Sequence, residues 1–211
     1  MPSKLAMGLT EKIPSKEMPE VTPAPYKLLQ VEGKGRGLVA TRTLEVGELV
    51  LSEKAFLKIP SRDVISKSFC HLDADVEAKL MNLSCPADAM FEKLSQEKML
   101  ENMSKILLRK FGANRMEVLS GGGATGDSVV FETMSMINHS CMPNVAWFTE
   151  EEDNTRKEVR VCRRIQEGEE IVASYLELAE LPLKQKRREL LKLWDFECRY
   201  DRLYGWGLFI F

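Results

Sequence analysis

Three short segments, far apart in the chain, carry the residue types from which a ligand site could be built. They are residues 33–37 (GKGRG), 138–144 (NHSCMPN) and 168–175 (GEEIVASY). Closely spaced glycines let a backbone turn sharply and approach a ligand, and the cations Lys34 and Arg36 suit a carboxylate partner. Taken singly, each segment is equally typical of a structural role: a tight β-turn, a hydrogen-bonded histidine in a turn, and a tyrosine that ends a strand.

Several other site classes do not fit these segments. The glycine cluster lacks the strand–helix context and the following acidic residue of a dinucleotide fold, and it lacks the Lys-Ser/Thr ending of a P-loop. His139 and Cys141 could form a nucleophilic dyad, but such close neighbours in a turn point apart and no third orienting group is evident. With His71 as the other histidine of the chain, a metal centre built from several histidines is excluded.

Composition and charge narrow the class of protein further. The 211 residues include 30 Lys and Arg against 32 Asp and Glu, a net charge of −2, which argues against direct nucleic-acid binding. No stretch approaches the ~20 apolar residues that span a bilayer. The N-terminal segment carries Glu11, Glu17 and Glu20 and lacks the apolar core of a signal peptide. Five cysteines without a CxxC motif indicate a reducing compartment. We therefore expect an intracellular protein of the nucleus, the cytoplasm or both, without membrane association.

The pattern of apolar residues and turn formers predicts many short strands and a few helices, an α+β fold that is mainly β. Residues 1–25 show no periodicity and are predicted to form a flexible arm. Predicted strands cover 26–31, 38–41, 48–59, 145–149, 158–163 and 171–175. Predicted helices cover 73–83, a long stretch from 84 to 111 that Gly112 ends, and 183–194, and the glycines at 121–123 form a flexible connection.

The order of the motifs resembles the SET-domain protein-lysine methyltransferases. GKGRGL comes first, NHSCMPN about a hundred residues later, then GEEIVASY, and then a helix that ends in WDFEC. The likeness extends over roughly residues 26–198. It is most similar to the SET-and-MYND type and to fungal SET proteins, which share SY rather than DY in the last motif. A MYND zinc module does not fit, because residues 60–127 hold only Cys70, His71 and Cys85 as ligands of the required kind.

This resemblance implies an organisation of the chain. The SET domain would cover residues 26–176, with a helical insertion at 60–127 and a degenerate post-SET-like flank, partly helical, at 177–211. Its fold would consist of small sheets, with residues 138–144 threaded through a loop to form a pseudoknot.

The resemblance also implies S-adenosylmethionine as the cofactor. Lys34, Gly35 and Arg36 would line its pocket. The backbone groups of Asn138 and His139 would hold its adenine and amino ends. Phe196 would cover the adenine ring by an offset stack.

The implied reaction is methyl transfer to the ε-amine of a lysine in a protein substrate, either a histone or another protein. A lysine amine has a reference pKa near ~10.4 and must lose its proton before it can attack, which a narrow apolar channel favours. Tyr175 would be the catalytic residue, because its hydroxyl can orient the neutral amine in line with the methyl–sulfur bond. Trp194 would line the substrate channel, where many relatives carry a second tyrosine.

The chain departs from the family pattern in its C-terminal flank. The family combines the cysteine of NHSC with a C-x-C-x-x-C segment to bind zinc through four thiolates. Here Cys141 and Cys198 are present, whereas Tyr200 and Leu203 occupy the other two positions. Two thiolates are too few for a closed zinc site, so we expect no zinc. The lost thiolates also leave open an alternative function, a non-catalytic SET-like binding or scaffold module.

Overall fold

The computed structural model describes residues 23–60, 69, 72–120, 123–176 and 182–198, so nearly all of the expected arm and much of the expected flank lie outside the described residues. The strands are β1 (Tyr26–Val31), β2 (Gly35–Ala40), β3 (Leu49–Lys54), β4 (Leu57–Ile59), β5 (Met116–Ser120), β6 (Gly123–Val130), β7 (Asn138–His139), β8 (Val145–Thr149), β9 (Arg156–Val161) and β10 (Glu170–Ala173). The α-helices are α1 (Ala74–Asn82), α2 (Asp88–Phe91), α3 (Gln96–Glu101), α4 (Met103–Asn114) and α5 (Leu183–Trp194), and Met134–Met136 forms a 3₁₀ helix. No helix in these ranges combines the length and the apolar character that a membrane span requires.

The strands form three small sheets, which confirms the α+β, mainly β fold class. One sheet has the order β1-β2-β10-β7, a second β3-β9-β8, and a third β4-β6-β5. Every pairing is antiparallel except that of β7 with β10. The first sheet therefore brings the glycine cluster at β2 and the last motif at β10 side by side, although more than a hundred residues separate them.

The parallel pair β7–β10 joins the second and third motifs. Asn138 lies opposite Val172, and His139 lies opposite Ala173. Asn144, which is fully buried, hydrogen bonds to both sides of one residue of β10: its N–H donates to the Val172 carbonyl at 3.0 Å, and its Oδ1 accepts from the Val172 N–H at 2.8 Å. These contacts join segments that are distant in sequence, as the expected pseudoknot requires.

The predicted strand at 48–59 is in fact two strands in different sheets. β3 pairs with β9, whereas β4 pairs with β6. The chain changes sheets at Ala55 and Phe56, whose N–H groups donate to the carbonyls of Thr155 and Val130. Apolar residues alone could not reveal this change of partner, because buried apolar residues occur in both halves.

The prediction of one continuous helix from 84 to 111 was wrong, and so was the prediction that Gly112 ends it. The segment forms three helices, α2 to α4, and the hydroxyl of Ser95 accepts the Lys98 N–H at the start of α3. Such a cap satisfies a free N–H and begins a new helix. Gly112 does not end α4, which continues to Asn114. The region expected to be a helical insertion also carries β5 and most of β6.

Two groups of buried side chains hold these elements together. The main core lies between the sheets and α4, and includes Leu38, Phe111, Phe131 and Ile171. A smaller group, here named the flank cluster, consists of Cys141, Leu190 and Cys198. The flank cluster packs α5 and the residues after it against the segment that follows β7. It thereby places the end of the described chain beside the motifs.

Candidate active site

A cavity of about 550 Å³ lies where the motifs converge. Its walls come from the glycine cluster, from the insertion at residues 84–86 and 113–114, from the segment 135–140, and from Tyr175 and the chain after α5. Of the residues predicted from the sequence, the cavity is lined by Lys34, Arg36, Asn138, His139, Tyr175, Trp194 and Phe196. Gly35 is not part of the lining, although its neighbours on both sides are.

The glycine cluster forms the wall because three of its positions need glycine. Gly33 and Gly35 have φ of 72° and 78°, a region that other L-residues rarely adopt. Gly37 instead needs space, because a Cβ there would lie 2.8 Å from Asn138 Nδ2. The close approach of β2 to β7 therefore depends on the absence of a Cβ at Gly37.

The carboxylate of Glu170 joins all three motifs. It accepts hydrogen bonds from Lys34 Nζ at 2.5 Å and from Asn138 Nδ2 at 2.9 Å. Asn138 Nδ2 also donates to the Arg36 carbonyl at 3.0 Å. Hydrogen bonds to a charged group are stronger than those between neutral groups. Lys34 therefore finds its carboxylate partner within the protein, a contact that the sequence interpretation did not identify.

Arg36 is likewise engaged within the protein. Its guanidinium donates to the side-chain oxygen of Asn82 at 3.0 Å, to the Asn82 carbonyl, and to the Ser84 hydroxyl at 3.4 Å. These groups belong to the end of α1 and the loop after it. Arg36 therefore joins the glycine cluster to the insertion, and the insertion forms one wall of the cavity.

Tyr175 is positioned through both its backbone and its hydroxyl. Its N–H donates to His139 Nδ1 at 3.0 Å, and its hydroxyl donates to the Ile137 carbonyl at 2.8 Å. Burial and the nearby Glu170 carboxylate raise the pKa of the phenol above its ordinary value. The hydroxyl is therefore protonated at neutral pH and can orient a reactant, whereas it is a poor base.

The hydrogen bonds of His139 determine its tautomer. A backbone N–H can only donate, so Nδ1 accepts from Tyr175 and the proton of the neutral ring lies on Nε2. Nε2 faces Cys141 Sγ at 3.3 Å, so the expectation that these two side chains point apart was wrong. Burial and the positive charge of Lys34 lower the pKa of His139 to about 4. The ring is therefore neutral at physiological pH and acts as a fixed support for the Tyr175 backbone.

This depressed pKa predicts a dependence of stability on pH. Between pH 6.5 and about 4 the unfolded chain binds a proton at His139 and the folded chain does not. The neutral His139 side chain therefore contributes fully to the free energy of unfolding above pH 6.5. This contribution falls by up to roughly 3 kcal/mol as the pH is lowered towards 4. Urea unfolding at pH 7.5 and pH 5 measures it.

The variant His139→Gln should lose most of this pH dependence, because it removes the group that binds a proton in the unfolded chain and not in the folded one. Equal unfolding midpoints at the two pH values in the unaltered protein would contradict the neutral, buried state of His139.

The aromatic residues at the end of α5 close one side of the cavity. Trp194 lies with its ring centroid 5.1 Å from that of Tyr175, and its Nε1–H donates to the Ala113 carbonyl at 2.8 Å. Phe196 lies 5.8 Å from His139 and 6.4 Å from Tyr175, measured between ring centroids. Asp195 has φ of 56°, and this left-handed turn lets the chain reverse after the helix. Four rings thus form an apolar wall beside the glycine cluster.

Two residues of the site could not have been selected from the sequence by motif. Ser135 lines the cavity, and its buried hydroxyl has no hydrogen-bond partner among the described residues. Glu53 lies on β3, and its carboxylate accepts hydrogen bonds from the N–H groups of residues 132, 133 and 134 at 2.8–2.9 Å. Glu53 thereby fixes the start of the 3₁₀ helix that carries Ser135. No local pattern in the sequence connects these residues to one another.

The donor groups near the flank cluster do not fit a zinc site. The ligand atoms of His139, Cys141 and Cys198 lie within 4.8 Å of one another, and all three residues are buried. However, His139 Nε2 carries the ring proton, so it has no lone pair for a metal. Two thiols remain, and a closed zinc site needs four ligands. The chemistry of these donors supports the prediction that zinc is not bound, and that prediction stays open to test.

Comparison with known proteins finds one matching family and several relatives. The family model described as SET domain matches residues 35–176. A histone-lysine N-methyltransferase named ATXR2 from Arabidopsis thaliana is 41% identical over 73 residues, 34% of this chain and 15% of that protein. Histone-lysine N-methyltransferases named SET5 are 36% identical over 72 residues in Scheffersomyces stipitis and 38% over 77 residues in Meyerozyma guilliermondii. These matches cover 34% and 36% of this chain.

The chain spans only about one sixth of the length of the curated relatives that it matches, 15% or 16% of each. A solved structure from Plasmodium falciparum, described as a candidate histone methyltransferase, superposes with a TM-score of 0.41 at 13% identity, over 74% of this chain and 96% of that one. The family match covers most of the chain. It includes the second and third motifs in full and residues 35–37 of the glycine cluster. The chain therefore belongs to the SET-domain family.

Proposed function

We propose that this protein transfers a methyl group from S-adenosylmethionine to the ε-amine of a lysine in a protein substrate. One observation carries the proposal: Tyr175, the glycine cluster and the aromatic wall line a single cavity. The names of the relatives, histone-lysine N-methyltransferases, support this reaction class. The substrate class is a histone or another protein with an accessible lysine.

The residues of the cavity fit S-adenosylmethionine. A volume of about 550 Å³ lies within the usual range of cofactor pockets, ~300–1,000 Å³. The buried Ser135 hydroxyl needs a hydrogen-bond partner, and a ligand with amino, hydroxyl and carboxylate groups supplies one. Phe196 offers an apolar face for a flat adenine ring. Lys34, Asn138 and His139 border the same space and would hold the remaining polar groups.

The cofactor, when bound, supplies an electrophilic methyl group on a positively charged sulfur. The protein then has to deliver a neutral amine in the correct direction. Trp194 and Tyr175 provide an apolar passage that disfavours the ammonium form of the incoming lysine, so its proton leaves to water before transfer. The Tyr175 hydroxyl, held by the Ile137 carbonyl, orients the amine. Such positioning is a main source of rate in displacement reactions.

We expect Phe196→Ala to weaken the binding of S-adenosylmethionine by about tenfold, roughly 1.4 kcal/mol. The substitution removes the ring that would cover the adenine and leaves Tyr175 and His139 in place. Isothermal titration calorimetry measures the change in Kd. Phe148→Ala is the matched control, because Phe148 lies on β8 with 54% of its surface exposed, and it should leave the Kd unchanged. Equal affinities in both variants would remove Phe196 from the proposed adenine site.

The reaction itself is tested with S-adenosylmethionine labelled on the methyl group. The purified protein is incubated with core histones in one arm and with fractionated cell extract in the other, and labelled lysines are located by mass spectrometry. We expect incorporation on lysine in at least one arm. Binding of the cofactor in calorimetry without labelled lysine in either arm would overturn the proposed reaction.

A further inference from the structure

Two cysteine thiols meet at the edge of the cavity without a function in the proposed reaction. Cys141 belongs to the segment after β7, and Cys198 follows α5. Both are buried, with 8% and 9% of their surfaces exposed. Their sulfur atoms lie within 4.8 Å of each other, and they pack with Leu190 in the flank cluster. Thiols from such distant parts of the sequence are brought together only by the fold.

The surroundings of the pair keep Cys141 as a thiol in the reduced protein. Burial, followed by the hydrogen bond to Cys198, raises the pKa of Cys141 to about 12. The nearby imidazole donates its Nε2–H to Cys141 Sγ and offers no lone pair to a metal. A pair of close thiols without a fitting metal has one further common chemistry, the formation of a disulfide.

We propose that Cys141 and Cys198 form a reversible disulfide that fastens residues 195–198 over the cavity. The bond requires the sulfurs to approach to ~2.05 Å, which is a movement of less than 3 Å from a separation within 4.8 Å. Cys198 packs against Leu190 of α5 but is not itself part of a described strand or helix. The approach therefore needs no change in the sheets.

The oxidant is a small disulfide of the glutathione class. One cysteine, as its thiolate, attacks a sulfur of the oxidant, forms a mixed disulfide and releases one glutathione thiol. The other cysteine then attacks the mixed disulfide, and the second glutathione thiol leaves. The two cysteines together lose two electrons and two protons. The oxidant takes up these electrons and protons and becomes two thiols. The reverse reaction with excess glutathione restores the pair.

The position of the bond determines its structural effect. Phe196 lies two residues before Cys198, and its ring contacts both His139 and Tyr175. The left-handed turn at Asp195 separates this segment from α5. A covalent bond at residue 198 holds the segment at Cys198, in addition to its connection to α5. The Phe196 ring that lines the cavity then has less freedom to move away.

The experiment incubates the full chain in glutathione buffers from fully reducing to fully oxidising, without any cofactor. Free thiols are then trapped by acid and N-ethylmaleimide, and peptides are mapped by mass spectrometry. We expect a Cys141–Cys198 linked peptide, lighter by two hydrogens than the sum of its parts, while the exposed Cys162 remains labelled. Cys162→Ser should keep the linked peptide, and Cys198→Ser should lose it. Labelled or glutathionylated Cys141 and Cys198 without the linked peptide would overturn the proposal.

A second measurement tests the fastening. Amide hydrogen exchange in residues 194–198 should slow by about tenfold or more in the oxidised protein, and return on reduction. Unchanged exchange beside an intact linked peptide would show that the bond forms without restraining residues 194–198, which contradicts this part of the proposal. Both readouts are independent of methyl transfer. Their failure therefore leaves the proposed reaction untouched, and the failure of that reaction leaves them untouched.

Discussion

Replacing Tyr175 with phenylalanine is expected to lower the turnover of methyl transfer by about 10²- to 10³-fold, the usual cost of removing one well-placed hydroxyl or amide group from a reacting centre. The variant keeps the ring that packs against Trp194 and His139, and it keeps the N–H that donates to His139. The affinity for S-adenosylmethionine should therefore change by less than about twofold, within 0.4 kcal/mol. Single-turnover kinetics with labelled cofactor and calorimetry measure the two quantities separately.

The matched control for this experiment is Tyr26→Phe, on β1. Tyr26 is partly buried against the main core and does not line the cavity, so this variant should retain full turnover. If Tyr175→Phe turned over as fast as the unaltered protein, the phenol would have no part in the reaction. If neither protein transferred methyl groups while both bound the same partner, the scaffold alternative would be favoured.

Gly37→Ala is expected to destabilise the protein by about 1–3 kcal/mol and to weaken cofactor binding. The added Cβ would lie 2.8 Å from both Asn138 Nδ2 and Val31 Cγ2, and 3.1 Å from Glu170 Oε1. The Asn138 amide cannot swing aside freely, because it donates to Glu170 and to the carbonyl of residue 36. The methyl group therefore has to separate β2 from β7 or break these hydrogen bonds. Urea unfolding and calorimetry with the cofactor measure both effects.

Gly112→Ala provides the opposite control. Gly112 lies within α4, and a Cβ there would meet no atom within 4 Å. Alanine loses less conformational freedom in a helix, so this variant should gain about 0.5–1 kcal/mol of stability. Equal effects of the two substitutions would show that crowding at residue 37 is relieved by small movements of its neighbours.

The sequence predicted the elements whose pattern is local. The strands around the glycine cluster, the β8–β9 pair, helix α1 and helix α5 were confirmed within a few residues, because each combines regular apolar spacing with a clear turn or helix start. The insertion was predicted less well. Ser95 begins a new helix in the middle of an apolar repeat, and a serine in such a position also fits a continuous helix.

The site residues divide in the same way. Tyr175, His139 and Phe196 belong to motifs whose order is informative, and all of them line the cavity. The roles of Glu170 and Glu53 depend on tertiary contacts across 32 to 136 residues of chain. A carboxylate in a turn or on a strand is common in sequences without any role in a site. Only the folded chain reveals which N–H groups donate hydrogen bonds to it. The sequence therefore predicted the residues of the cavity better than the groups that hold them in place.

The pairing of β7 with β10 has a consequence for how the protein is made. The two strands share only two residue pairs, and β10 follows β7 by about thirty residues. During synthesis, Tyr175 must therefore have left the ribosome before the cavity can form. Phe196 must have left it before the aromatic wall is complete. Until then the apolar faces of earlier strands remain exposed to solvent, a state that favours aggregation. Chaperone binding during synthesis should accordingly concentrate on nascent chains that end before β10.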